Sequence, residues 1–244
     1  MFARITFMEF KLNMREFVVP LFVLVLPVAL LLGFGFQPGS RKADADLGGQ
    51  TGAEYIAAIG AGIALAILGL SVLPATLATY REKGVLRRLA TTPVRPVYLL
   101  AAQLVLYAVG ALFTVAVLIV AGDVLFGTPV PKSLFAFLGA LVLGMAALFA
   151  IGLLVAAVAP TAKAGQAIGM ILFFPSLFLG GVYIPRETMP AVLRNIGDYS
   201  PLGATLKTMR DAWMGTSPHI AQLAIMAAYA VVAGLAATKL FRWE

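Results

Sequence analysis

"YREKGVLRRLATTPVRP", residues 80–96, interrupts a chain in which 61% of the residues are hydrophobic and only 12% are charged. It holds five of the 18 basic residues and one acid, Glu82, and a long apolar run lies on each side of it. Soluble globular chains carry about 25% charged residues, and a mean hydropathy of +0.96 falls outside their range. The chain therefore reads as membrane spans, with the charged stretch as a loop joining two of them.

Working outward from that loop, six apolar segments are long enough to be spans, near 18–36, 55–79, 97–121, 134–158, 164–184 and 218–238. A helix needs about 20 residues to cross about 30 Å of hydrocarbon. The runs are long and nearly free of charge, unlike the alternating strands of a barrel. The expected fold class is all-α integral membrane, as a single domain over 1–244. Ala43-Asp44-Ala45 resembles a signal-peptide cleavage site, but it lies well past the apolar run and behind Arg41 and Lys42. An uncleaved first span is expected.

Six spans put both termini on one side. Eleven of the 18 Lys and Arg residues and four of the 11 acids fall on that side, so it carries the whole net charge of +7. The positive-inside rule then predicts cytoplasmic termini, and no nucleic acid is needed to explain the basic balance. The opening "MFARITFMEFKLNMREF", residues 1–17, has Phe2, Ile5, Met8 and Leu12 recurring at helical spacing among Arg4, Glu9, Lys11 and Arg15. That pattern predicts an amphipathic helix lying in the inner interface.

Several chemistries lack their residues. The chain has no cysteine and one histidine, His219, placed at a span boundary, and no HExxH or comparable cluster offers catalytic or metal-ligating groups. Mid-depth ionisable residues, which proton- or ion-driven carriers use as relays, are almost missing; Asp123 falls at the outer end of the third span. No G-x-x-x-x-G-K-[ST] occurs, so ATP could enter only through a partner.

As a helix, residues 81–90 sort Val85, Leu86, Leu89 and Ala90 into an apolar strip, with Arg81, Lys83, Arg87 and Arg88 on other faces. Glu82 sits in the first turn, where the dipole favours an acid. Gly84 relaxes the join to the second span, and Pro93 and Pro96 end the segment. Periodicity leaves two readings even: a short helix with a strip for docking, or a topological anchor whose periodicity is incidental.

The stretch resembles the cytoplasmic coupling segment of the type-2 ABC transporter permease family, in Glu82-Lys83-Gly84, Leu86, Leu89 and Thr92-Pro93 leading into "LLAAQLV". Many members carry Gly-Lys where this chain has Ala102-Gln103. A second stretch, "FLGGVYIPRETMPAVLRNIGDYSPLGATLKTMRDAW", residues 178–213, is similar to the family's signature before its last span. It offers two short apolar faces, one at Val192, Leu193 and Ile196 and another at Leu202, Leu206, Met209 and Trp213, expected as re-entrant or interfacial helices.

The resemblance implies the membrane subunit of an ATP-driven exporter in a bacterial or archaeal plasma membrane. A separate ATPase subunit would bind ATP and Mg, and a second permease subunit, identical or homologous, would complete the assembly. It implies ATPase coupling through Arg81, Glu82, Lys83, Gly84, Val85, Leu86, Arg87, Arg88, Leu89 and Pro93. The daunorubicin-resistance type of drug exporter is the nearest flavour, with lipid or glycolipid as other cargoes. Polar residues on the spans, Gln103, Tyr107, Gln166, Ser176 and Tyr183, are candidates for the substrate pathway. Two rival classes remain: a membrane scaffold or assembly factor without transport, and an ion-driven secondary carrier.

Overall fold

The computed structural model describes residues 2–16, 18–85, 88 and 97–240. Of the coupling-segment residues, Leu86, Arg87, Leu89 and Pro93 lie outside the described residues. The rest is all-helical, with no strand among the described residues. Among the described residues, six helices are long and apolar enough to cross a membrane: α2 (Val18–Gly35), α3 (Gly52–Glu82), α4 (Val97–Phe126), α5 (Leu134–Val158), α6 (Ala162–Leu179) and α9 (Ile220–Leu240). The N-terminal α1 (Phe2–Arg15) and the short α7 (Ala191–Tyr199) and α8 (Pro201–Met214) complete the bundle.

Local chemistry sets the boundaries. The second span starts at Gly52 because Thr51 and Glu54 form a capping box: Thr51 Oγ1 accepts from the Glu54 N–H at 3.2 Å, and Glu54 Oε2 accepts from the Thr51 N–H at 2.7 Å. The third span runs on past residue 121 to Phe126, and takes in Asp123 as an exposed residue of its last turns. The fifth stops at Leu179, short of 184, where Gly180 and Gly181 follow and Gly181 takes a φ of 85°.

The central element is α3, almost wholly buried among its neighbours. Midway it widens into a π-helical segment, Ile67–Val72. The cause is Pro74, which has no N–H to donate. The Leu73 N–H bonds back to Leu68 O, one residue further than in an α-helix, so Gly69 O loses its usual donor and Pro74 cannot replace it. Glycines on adjacent spans receive the freed backbone: a Cβ on Gly152 of α5 would lie 2.0 Å from Gly69 O, and one on Gly169 of α6 would lie 2.2 Å from Leu70 O. Only a glycine Cα–H fits there, making close C–H···O contacts.

Small residues on the spans allow close helix packing: Gly60, Gly62, Gly69 and Gly144 each meet a neighbour, whereas Gly139 faces open space. The two short helices differ in how they are covered. Leu202, Leu206, Met209 and Trp213 of α8 are buried, and Trp213 stacks edge-on with Phe137 at 5.4 Å. Val192, Ile196 and Tyr199 of α7 stay exposed, so that apolar face is not spent on the chain's own core.

Gly152→Ala should therefore cost about 1–3 kcal/mol, since it forces backbone apart. Gly139→Ala should be neutral or gain up to about 1 kcal/mol from helix propensity. Thermal unfolding of the two variants in detergent checks the contrast; equal Tm values would refute it.

Candidate functional site

The charged stretch begins where α3 ends, and the end of α3 is tied down by three consecutive side chains. Tyr80 donates to Glu9 Oε2 at 2.7 Å, and Gln103 Nε2 of α4 donates to the same oxygen at 2.5 Å and to the Tyr80 hydroxyl at 3.1 Å. One turn away, Tyr107 of α4 donates to Thr76 Oγ1 at 3.0 Å. This cluster pins α1 against the second and third spans, helped by an edge-on contact of Phe2 with Tyr98. Glu9 is buried in it, and burial pushes its carboxyl up from the ordinary value; the Tyr80 and Gln103 donors offset this only in part.

Arg81 turns the other way. Its Nη1 donates to Ala156 O at 3.3 Å and Ala157 O at 3.0 Å, and its Nη2 to Ala159 O at 2.5 Å. Those are carbonyls at the C-terminal end of α5, where a helix leaves acceptors unpaired and the dipole favours a cation. Glu82 does the converse: its Oε2 accepts from the Ala162 N–H at 2.8 Å, at the first turn of α6. Thr161 adds the N-cap, accepting from the Ala164 N–H at 3.1 Å. Base to C-terminus and acid to N-terminus, adjacent residues of α3 hold the two helix ends that flank residues 159–161.

Beyond Glu82 the chain turns at Lys83 and Gly84; Gly84 has a φ of 67°, a conformation that favours glycine, and donates to Arg81 O at 3.0 Å. Val85 is half-buried against the core, and Arg88, exposed, donates its N–H to Gly84 O at 3.1 Å.

The opposite end of the bundle is closed by ion pairs. Arg210 of α8 is buried and donates to Gln50 Oε1 at 2.9 Å and Glu187 Oε1 at 2.8 Å, with its guanidinium 4.4 Å from the Tyr55 ring centroid. Tyr55 in turn donates to Gly181 O at 2.9 Å. Asp198 accepts from Arg186 and from Lys207 Nζ at 2.9 Å. Burial alone would raise the Asp198 carboxyl, but these two cations outweigh it and hold it below the usual range.

Between the two ends, α2, α3 and α6 enclose a groove of about 1090 Å³. Its walls are apolar, with Phe22 and Leu30 of α2, Ile63 of α3 and Phe173 of α6, while Lys42, Asp44 and Tyr183 stand at its far rim. Of the residues the sequence offers for a pathway, Tyr183 lines this groove. Gln103 and Tyr107 do not: both are buried in the polar cluster beside α1. Gln166 is exposed and Ser176 half-buried on α6, and neither is among the groove's lining residues. Ser71, which does line the groove at the π segment, carried no sequence signal beyond being polar in apolar surroundings, and Glu9 read as one of the charges of an amphipathic helix.

No group of three or more potential metal-ligating side chains occurs among the described residues. Six apolar helices, a charged junction that grips helix ends and an apolar groove describe a multi-pass membrane protein. A sequence profile of the ABC-2 type transporter family matches residues 2–214, and the chain belongs to that family: it is a membrane permease of an ABC transporter. No curated protein sequence matches the chain.

The raised carboxyl of Glu9 has a defined consequence for stability. The folded chain holds that proton more tightly than the unfolded chain, so the contribution of Glu9 to stability is full below the ordinary value of 4.5 and is lost as pH rises through the raised value. Glu9→Gln should remove this decline, measured as Tm between about pH 4 and about pH 8. An unchanged pH profile in the variant would refute the assignment.

Proposed function

We propose that the chain is the membrane subunit of an ATP-driven exporter for a hydrophobic or amphiphilic substrate, drug-like, lipid or glycolipid. Two permease subunits, identical or homologous, pair in the membrane, and each engages a separate ATPase subunit that binds ATP and Mg. Both termini and the segment after Glu82 face the cytoplasm. The observation that carries this reading is the groove: apolar walls over most of its length and a charged rim at one end suit an amphiphile better than an ion or a sugar. One of its walls, α6, is covered by little of this chain, which leaves room for a second subunit to complete the passage.

The energy supply follows from the same family membership. The chain itself has no nucleotide-binding loop. In sequence, the segment that follows α3 joins Val85, Leu86 and Leu89 to basic residues, and it begins at the end of the bundle where α3 meets α1. That is the place for an ATPase subunit to bind. A daunorubicin-resistance type of cargo is the leading substrate class.

Affinity purification of the tagged chain from its native membrane should bring down an ATPase subunit carrying a P-loop. Arg87→Glu with Arg88→Glu should abolish that association while membrane insertion stays intact. Normal export by the double variant, or a parent chain with no ATPase beside it, would overturn the reading.

A further inference from the structure

We propose that Arg81 and Glu82 are positioning residues that deliver movement of the segment after α3 to the fifth span, α6, by way of the 159–161 turn. The proposal rests on the transport reading and adds a route within the chain. On sequence alone both residues belong to the surface that meets the ATPase subunit. Their side chains are instead engaged with the chain's own backbone, at Ala156, Ala157 and Ala159 for Arg81 and at Ala162 for Glu82.

Three observations make this a mechanical joint. First, every partner is a main-chain group at a helix end, which moves rigidly with its helix, and each charge complements the dipole it meets. Second, α6 is held to α3 at further points on one face. A Cβ on Gly165 would lie 3.1 Å from Pro74 O and 3.2 Å from the Ala78 Cβ, and one on Gly169 would lie 2.2 Å from Leu70 O. Gly165 and Gly169 are one helical turn apart, so residues 70–82 of α3 and the first half of α6 form one continuous contact. Third, the π segment Ile67–Val72 lies at the upper limit of that contact, where the helical ladder of α3 is already interrupted. The half of α3 beyond the interruption, the 159–161 turn and α6 thus form one body, and α6 is a wall of the groove.

The test uses the permease with its ATPase subunit in lipid nanodiscs, and compares parent, Arg81→Ala, Glu82→Ala and Glu82→Gln. The ATPase subunit should stay bound in all four, and export per ATP hydrolysed should fall about tenfold in the two alanine variants, the scale of a broken coupling element. Glu82→Gln keeps an acceptor for the Ala162 N–H and should recover most of the ratio, which a role in charge balance would not give. Because the chain has no cysteine, Lys83→Cys with Lys163→Cys introduces a unique pair across the joint. A short bismaleimide should link that pair equally well without nucleotide and with ATP trapped, and poorly once Arg81→Ala is added.

Loss of the ATPase subunit from the Glu82→Ala complex would overturn the proposal by placing Glu82 on the ATPase contact. Parental export per ATP in both alanine variants, or a parent crosslink that vanishes with ATP, would overturn it equally. A parent that holds no ATPase subunit would overturn the transport reading and the transmission role with it. That outcome is told apart from failure of the joint by the crosslink, which is also scored on the permease alone.

Discussion

A backbone carbonyl inside hydrocarbon has no water to turn to, so every break in a helical ladder must be answered by another part of the chain. Much of this structure follows from that constraint. Pro74 breaks the ladder of the most buried span, the helix widens over Ile67–Val72, and glycines on two different spans close on the carbonyls that result. Helix ends face the same demand. Arg81 meets the last carbonyls of α5, Arg41 donates to Leu125 O in the last turn of α4, and Thr51 with Glu54 closes the start of α3. Several polar side chains of a chain this apolar are placed where the backbone runs short of partners.

The two ends of the bundle spend their charges differently. Away from the termini, cations and acids pair with each other: Arg186 and Lys207 on Asp198, Arg210 on Glu187 and the Tyr55 face. Such mutual pairing among side chains, several of them half-buried, ties α7, α8 and the loop before α3 into a closed cap. At the other end, among the described residues, Glu9 is held by two neutral donors, Arg81 by three carbonyls and Glu82 by one amide. Each of these contacts joins a different pair of helices at their ends. A cap of that first kind resists opening, while the second arrangement links elements and leaves their interiors free to tilt.

What the sequence made legible follows the same physics. The spans could be read because each is a long apolar run whose period does not matter, and the fourth, 134–158, coincides with its helix. The capping box T-x-x-E at Thr51–Glu54 was a readable signal that would have started the second span three residues earlier. The partners of Arg81 and Glu82 could not be read, because they are carbonyls and an amide, which every residue carries and no side chain announces. Glu9 was hidden for a different reason. On an amphipathic helix a carboxylate looks like part of the solvated face, and only the fold brings Tyr80 and Gln103 to it. Gln103 and Tyr107 mark the limit of the rule that a polar group on a span faces a passage, since an interhelical bond satisfies the same demand.

The position of the glycine contacts decides what a push at the helix end does. With a rise of about 1.5 Å per residue, Gly169 lies about 10 Å from Ala162 and about 15 Å from Leu179. Its contact with the Leu70 carbonyl therefore falls near the middle of α6, at a point where neither helix has a side chain to compress. A body held near that point and displaced at the Glu82 end swings at its other end, with opposite sign and an amplitude larger by about half. On the proposed transmission route, the end that swings carries Phe173, Phe174 and Leu177, which line the groove. The end that is displaced is the one Glu82 holds. The pivot is the π segment itself, where the ladder of α3 is already interrupted, so α6 turns together with the last residues of α3 rather than against them.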